Sequence, residues 1–524
     1  LPGDQAAAEV KMAAVAAAGV WALLWPLLLS GARAGPEFRF ASYYSHHMVL
    51  QVKPARAVVW GYGAEGAAVH VLLFNEDQFF SDQHTTVLKD DAVGGNGTWK
   101  VWLDPVSHGG PFMVLAQQSI AGLVESIGIN DVYFGDIWLC GGQSNMQFTV
   151  SQVMNASEEL ALAPRYPHVR LFQAGMFQSP SELNDLATIG LQWSVPTGSN
   201  LAHFSAVCWL FGRDLYDKLQ YPIGLVESCW GGTPIETWSS KRALQKCQQT
   251  YTADVGDRNE RGPHFPTVLW NSMIHPLLQM TIKGAIWYQG EENTHSYNDL
   301  YNCTFPAMIN DWRQAFHEES GGQTEIDFPF GFVQLSTFRH NSTDDAYPRL
   351  RWHQTANYGY VPNPVMPKTF MAVAMDLGDE KSPYGCIHPR YKQEVAFRLY
   401  LGARAVAYGE DIPFQGPFPK GIDQRNTTLV IVYTQELTVV KLSANAFEVC
   451  CSMKKNSSAS QWIFAPMIKS SSNTVTLSVE QCRQEIIGIR YAWEDWPCEL
   501  KQCPLYNQDY HPLPAPSFSI HPFE

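Results

Sequence analysis

Between Asp131 and Tyr408, short apolar runs recur, and each is closed by glycines or polar residues. The runs are Asp131–Cys140, Ile223–Ser228, Met280–Tyr288, Phe328–Leu335 and Phe370–Met375. Between them lie stretches of helical spacing. Phe204–Leu219 sets Val207, Leu210, Phe211 and Leu215 on one face, and Leu300–Phe316 is a second helix. Apolar strands alternating with helices fit a parallel sheet whose strands are joined by crossovers, with helices on both faces. The predicted fold class is therefore α/β for residues 131–409. Ligands bind such sheets outside the carboxyl ends of the strands, so the loops after these runs are where chemistry belongs.

The chain has 524 residues, which suggests about three domains. The flanks read differently from the middle. Residues 35–130 hold short β-type runs such as Ala57–Gly61 and Ala68–Phe74, bounded by Gly and Pro, and predict a small β-sandwich. Residues 410–524 return to β-type sequence at Thr428–Tyr433 and Thr474–Val479 and end in a Pro-rich tail. Residues 1–34 read as a cleaved leader: Lys11, an apolar run from Met12 to Leu29, then Ala32-Arg33-Ala34. Residues 1–11 are expected to lie upstream of a true start at Met12.

A leader implies an oxidising compartment and glycosylation. Sequons stand at Asn96, Asn155, Asn302, Asn341, Asn426 and Asn456. Eleven cysteines should mostly pair there, and the odd count leaves at least one unpaired. Cys450, Cys451, Cys482, Cys498 and Cys503 are expected to staple the C-terminal part. The formal charge of −14 argues against nucleic acid and anionic membranes as partners. No later run is long and apolar enough to span a membrane. Neither a C-x-x-C pair nor a His-x₃-His spacing occurs, so no metal is expected. The expected location is secreted or lysosomal.

Four blocks fall where ligand-facing loops should be. Gly141-Gly142-Gln143-Ser144-Asn145-Met146 puts a hydroxyl on a tight turn after a strand. Gly231-Gly232, in Cys229-Trp230-Gly231-Gly232-Thr233, offers backbone N–H groups. Gln289-Gly290-Glu291-Glu292-Asn293 adds amide side chains. His388, before Pro389, is expected at the start of a helix reaching Tyr408. Alone, each block fits a turn or a cap. Together they give the hydroxyl, imidazole and N–H donors that nucleophilic acyl transfer needs.

These blocks, with Trp230–Trp238, Trp287–Asn293 and Ile387–Gln393, resemble the sialate O-acetylesterases of the SGNH hydrolase superfamily. His47–Gln51, Trp270–Pro276 and Asp311–Arg313 support the resemblance, which runs from about residue 38 to the C-terminus. It implies an SGNH-type three-layer α/β/α core. It also implies a cofactor-free serine esterase that removes O-acetyl groups from free or glycan-linked sialic acid, chiefly at the 9-position. Carried onto this chain, Ser144 is the nucleophile and His388 the general base. The oxyanion donors are the Ser144 N–H, Gly231 or Gly232, and an amide from Gln289 or Asn293, with Gln289 nearer the strand end. An acid usually stands three residues before the histidine, but here Gly385 does. Asp376, at a strand end, is the nearest orienting acid. Arg313, Arg351 and Arg390 are candidates by type for the substrate carboxylate. Two alternatives remain: an esterase for another acetylated carbohydrate such as xylan, and a non-catalytic carbohydrate-binding glycoprotein.

Overall fold

The structure, a computed structural model, describes residues 37–75, 78–90, 97–248, 263–296, 298–440, 445–452 and 460–521. The expected leader, Asn96 and Asn456 lie outside the described residues. The fold is mixed α/β with several sheets. Its centre is a seven-strand path. In chain order the strands are β1 (Leu123–Gly142), β2 (Val169–Ala174), β3 (Ile189–Ser194), β4 (Ile223–Cys229), β5 (Gly284–Tyr288), β6 (Phe330–Gln334) and β7 (Thr369–Val373). Their spatial order is β3-β2-β4-β1-β5-β6-β7, parallel throughout except that β3 runs antiparallel to β2.

Burial explains why these runs are strands. Every residue of β4, β5, β6 and β7 is buried, as in a sheet covered on both faces. Trp138 of β1 meets Phe211 of α1 (Ala206–Leu219) at 5.0 Å between ring centroids, and a Cys140–Cys208 disulfide joins the same two elements. On the other face, Trp287 of β5 meets Trp312 of α2 (Tyr301–Glu319) at 5.6 Å. Helix α3 (Lys392–Val406) packs with α1. The helix expected from Phe204 begins at Ala206, where the Ser205 hydroxyl caps it by accepting from Cys208 N–H.

Strand β1 is longer than the sequence suggests. Its first half pairs with Gly109–Ile120 in the N-terminal strands, and its second half is the centre of the parallel sheet. One continuous strand therefore crosses the boundary expected at residues 130–131. Beyond α3, antiparallel strands form two four-stranded sheets and one two-stranded sheet. Four disulfides are formed: Cys140–Cys208, Cys247–Cys303, Cys451–Cys482 and Cys498–Cys503. Cys229, Cys386 and Cys450 are free. Among the described residues, no helix is long and apolar enough to cross a membrane.

Register positions the site. Gly142 is the Cα partner of Cys229 on one side and of Tyr288 on the other. Three neighbouring strands thus end level. The segments that follow them, Gln143–Gln147, Trp230–Thr233 and Gln289–Asn293, emerge side by side.

Candidate active site

The turn into Ser144 requires glycine. Gly142 has φ +143°, and a Cβ there would fall on the Tyr288 backbone. A helical turn then begins at Ser144, which leaves the Ser144 N–H without an intrahelical acceptor. Gly231 crosses above it, where a Cβ would stand 3.2 Å from Ser144 Cβ. The loops are stitched together by side-chain amides. Gln143 Oε1 accepts from Gly290 N–H (3.2 Å) and Glu292 N–H (3.3 Å), and Gln147 Oε1 accepts from Gly231 N–H (2.9 Å).

His388 arrives from the segment before α3. Its Nε2 lies 2.9 Å from Ser144 Oγ, and its Nδ1 lies 2.8 Å from the Tyr384 carbonyl oxygen. A carbonyl only accepts, so Nδ1 carries the proton and Nε2 presents its lone pair to the Ser144 hydroxyl. The imidazole is oriented by a main-chain oxygen. Burial holds its pKa below the ordinary histidine value, and the Lys392 charge adds to this. The Tyr384 hydrogen bond opposes both.

His388 does not open a helix. It sits in a turn, its N–H donating to the Gly385 carbonyl, and α3 starts only at Lys392. The carbonyls that a helical turn would use are already taken. Asn145 Nδ2 donates to Ile387 O, Ser382 Oγ to His388 O, and Lys392 Nζ to Pro389 O.

Asp376 does not orient His388. It is fully buried, with Arg398 Nη1 at 2.6 Å from Oδ1, Arg398 Nη2 at 2.9 Å from Oδ2 and Tyr506 Oη at 3.0 Å from Oδ2. Its acceptor oxygens are occupied by the seam between α3 and the C-terminal strands. A cavity of about 260 Å³ opens beside it, apart from the Ser144 cluster.

The expected amide donors are also committed elsewhere. Gln289 Nε2 donates to Thr233 O and Asn293 Oδ1, and its Oε1 accepts from the Tyr301 hydroxyl. Asn293 Oδ1 accepts from Ile235 N–H, and its Nδ2 donates to Glu236. Both residues are fully buried and hold the loop after β4 against the loop after β5. A buried amide with partners at both ends is a structural clamp rather than a free donor.

Two of the three arginines, Arg313 and Arg351, are buried, and the third, Arg390, is partly exposed but paired. Arg351 is fully buried and donates to the carbonyls of Leu335, Ser336, Glu494 and Asp495. Arg313 donates to Phe328 O and Lys368 O. Arg390 pairs with Asp379 at 2.7 Å. Of the sequons, Asn155, Asn341 and Asn426 are exposed, and Asn302 is half-buried on α2. Among the described residues, the group able to hold a metal ion, His70, Asp82 and His84, lies on the N-terminal strands rather than beside Ser144. His84 turns one ring nitrogen to His70 and the other to Asp82.

Sequence reasoning missed Asn145 and Lys392, which stand inside the blocks that carried it, and Gln147, which follows the first block directly. The signal was present, but the residues' partners lie in other loops.

Comparison with known proteins identifies the family. Residues 134–381 match the family model "Carbohydrate esterase, sialic acid-specific acetylesterase", and residues 420–521 match "Sialate O-acetylesterase C-terminal domain". The chain is 51% identical over 510 residues to the sialate O-acetylesterase of Pongo abelii, covering 95% of this chain and 96% of that protein. It is 51% identical over 511 residues to the Homo sapiens enzyme, with the same coverage of each chain. Among solved structures, a carbohydrate acetylesterase from Xanthomonas citri superposes with a TM-score of 0.75 at 27% identity, covering 93% of this chain and all of that one.

Proposed function

The chain belongs to the sialate O-acetylesterase family, and from that premise we propose that Ser144 and His388 perform its ester hydrolysis. The protein is a carboxylic ester hydrolase acting on O-acetylated sialic acid. The 9-O-acetyl ester is the main substrate, free or glycan-linked, and the acetylxylan and binding-module alternatives are not favoured.

The observation that carries this reading is the Ser144 Oγ–His388 Nε2 contact of 2.9 Å, with Nδ1 tied to a carbonyl. His388 Nε2 takes the hydroxyl proton as Ser144 Oγ attacks the acetyl carbon. The oxyanion forms against the Ser144 N–H and a glycine N–H of the Gly231-Gly232 pair. The oxyanion takes the place of Gln147 Oε1 as the acceptor of the Gly231 N–H. Each such donor is typically worth about 3 kcal/mol in the transition state. His388 returns the proton to the departing sugar oxygen. It then activates water to release acetate from the acetyl-serine. No cofactor enters these steps.

Around this site the reading places an SGNH-type three-layer core over residues 131–409, a β-sandwich over 35–130 and a disulfide-stapled β-domain over 410–524. The four disulfides and exposed sequons fit the secretory pathway, with the protein secreted or lysosomal. The test is acetate release from 9-O-acetylated sialic acid by wild type and Ser144→Ala, with fluorophosphonate labelling alongside. Near-normal release by the variant overturns the assignment.

A further inference from the structure

Below Ser144 lies a buried polar chain that the hydrolysis just described does not use. Asn145 Nδ2 donates to Glu291 Oε1 at 2.6 Å and to Ile387 O at 2.9 Å. Asn145 Oδ1 accepts from Lys392 Nζ at 2.7 Å, and the same ammonium donates to Pro389 O at 2.7 Å. Asn145 is 1% exposed and Lys392 is fully buried. Ile387 and Pro389 flank His388. The main chain on both sides of the imidazole is therefore gripped, on one side by the residue that follows Ser144 and on the other by a buried cation held to that residue. This joins the serine turn to the histidine turn through one side-chain amide.

We propose that Lys392 and Asn145 are positioning residues of the esterase. In this reading they fix the His388 turn against Ser144, and the Lys392 ammonium opposes a second positive charge on the imidazole. The inference rests on the Ser144–His388 reading above.

Several features support a functional role rather than simple packing. A buried lysine is costly unless its charge is compensated. Here Glu291 is reached only through Asn145, and Glu291 Oε2 is buried without a hydrogen-bond partner among the described residues. Arg390 already holds Asp379, the other acid that acts on Lys392. The remaining neighbours of the ammonium are the ring faces of Phe148 at 4.8 Å and Tyr288 at 5.2 Å. The cation is held by dipoles and ring faces close to the base. Burial pushes its pKa down to about 7 against the pull of Glu291 and Asp379. Below that pH it is charged, and its charge then works against protonation of His388. In most triads a carboxylate orients the imidazole and raises its affinity for a proton. Here a carbonyl orients it and a cation lowers that affinity.

The test has two arms. First, His388 is titrated by NMR in the intact wild-type protein and in Lys392→Met, without substrate. This reads the imidazole independently of turnover, so its failure is distinguishable from failure of the esterase reading, which Ser144→Ala carries. The wild-type imidazole should ionise below the ordinary value of about 6.5 and move up in the variant. An ordinary or raised wild-type value overturns the proposal, as does a value that Lys392→Met leaves unmoved. Second, kcat and KM are measured across pH. Lys392→Met and Asn145→Ala should each lower kcat by roughly ten- to a hundredfold with little change in KM. Only Lys392→Met should shift the acid limb to higher pH. If both variants are folded and their kcat stays within twofold of wild type, the positioning role is wrong. If Lys392→Met does not fold, Lys392→Gln removes the same charge and takes its place in both arms.

Discussion

Ser144–His388 and Asp376–Arg398 both follow strand ends of one sheet, and His388 and Asp376 are twelve residues apart. Their environments are opposite. The Asp376 carboxylate meets a bidentate guanidinium and a tyrosine hydroxyl, and both side chains of the ion pair are almost wholly buried. Every strong acceptor site is met, so the pair is a rivet between α3 and the C-terminal strands. His388 is half-buried, leans on one carbonyl and keeps a nitrogen lone pair for Ser144. A fully satisfied network makes structure, whereas chemistry needs a group with one valence left open.

The two regions should therefore fail in different ways. Ser144→Ala should lower acetate release by at least about 10⁴-fold. Its unfolding free energy should stay within about 0.5 kcal/mol of wild type. Next, Asp376→Asn strands a buried guanidinium and should cost roughly 3–5 kcal/mol of stability in urea or thermal unfolding. Activity per fluorophosphonate-labelled molecule should be kept. Should Asp376→Asn instead lose turnover while remaining stable, the division between the regions collapses and the acid acts on catalysis.

Gln289→Ala sharpens the contrast at intermediate size. It leaves Thr233 O and the Tyr301 hydroxyl without their partner. The expected cost is about 1–3 kcal/mol of stability. A selective loss of kcat at unchanged stability would restore Gln289 as an oxyanion donor.

A smaller effect is expected in the pH profile. With neutral His388 as the proposed base, burial holds its pKa below the ordinary value. Activity should persist on the acid side of about pH 6.5 and be lost only as pH falls through the lowered value. A kcat/KM profile with its acid limb above the ordinary histidine value would contradict the geometry. Smallest of all is Arg425→Ala. That arginine pairs with Asp423 on the surface, with side chains 71% and 55% exposed. A change below about 0.5 kcal/mol is expected in the same unfolding assay.

Much of this was legible in one dimension because it depends on local sequence. Apolar runs closed by glycine gave the strands and their carboxyl-end loops. Gly142 before Ser144 gave a turn that side chains would block. Helix starts were read to within a residue or two at Ala206 and Tyr301, where apolar spacing is a local signal. The start at Lys392 was misread. Pro389 is a good first helical residue in isolation, but the carbonyls around it are claimed by Asn145, Ser382 and Lys392. A long-range hydrogen bond overrode a local preference.

The roles of the polar side chains were harder to read for the same reason. Gln289, Asn293 and Asp376 are suitable donors or acids by type and by place after a strand. Whether such a group is free depends on what faces it, and those partners lie up to 130 residues away. From its order of residues alone, this chain has a parallel sheet, a serine on a glycine turn and a histidine in a later loop, because backbone conformation and burial pattern are set by neighbours. The level ending of three strands, the Tyr384 carbonyl behind His388 and the buried Lys392 under Ser144 arise only in the folded molecule. Hydrogen bonding and charge act through space, and only folding brings those atoms within reach of one another.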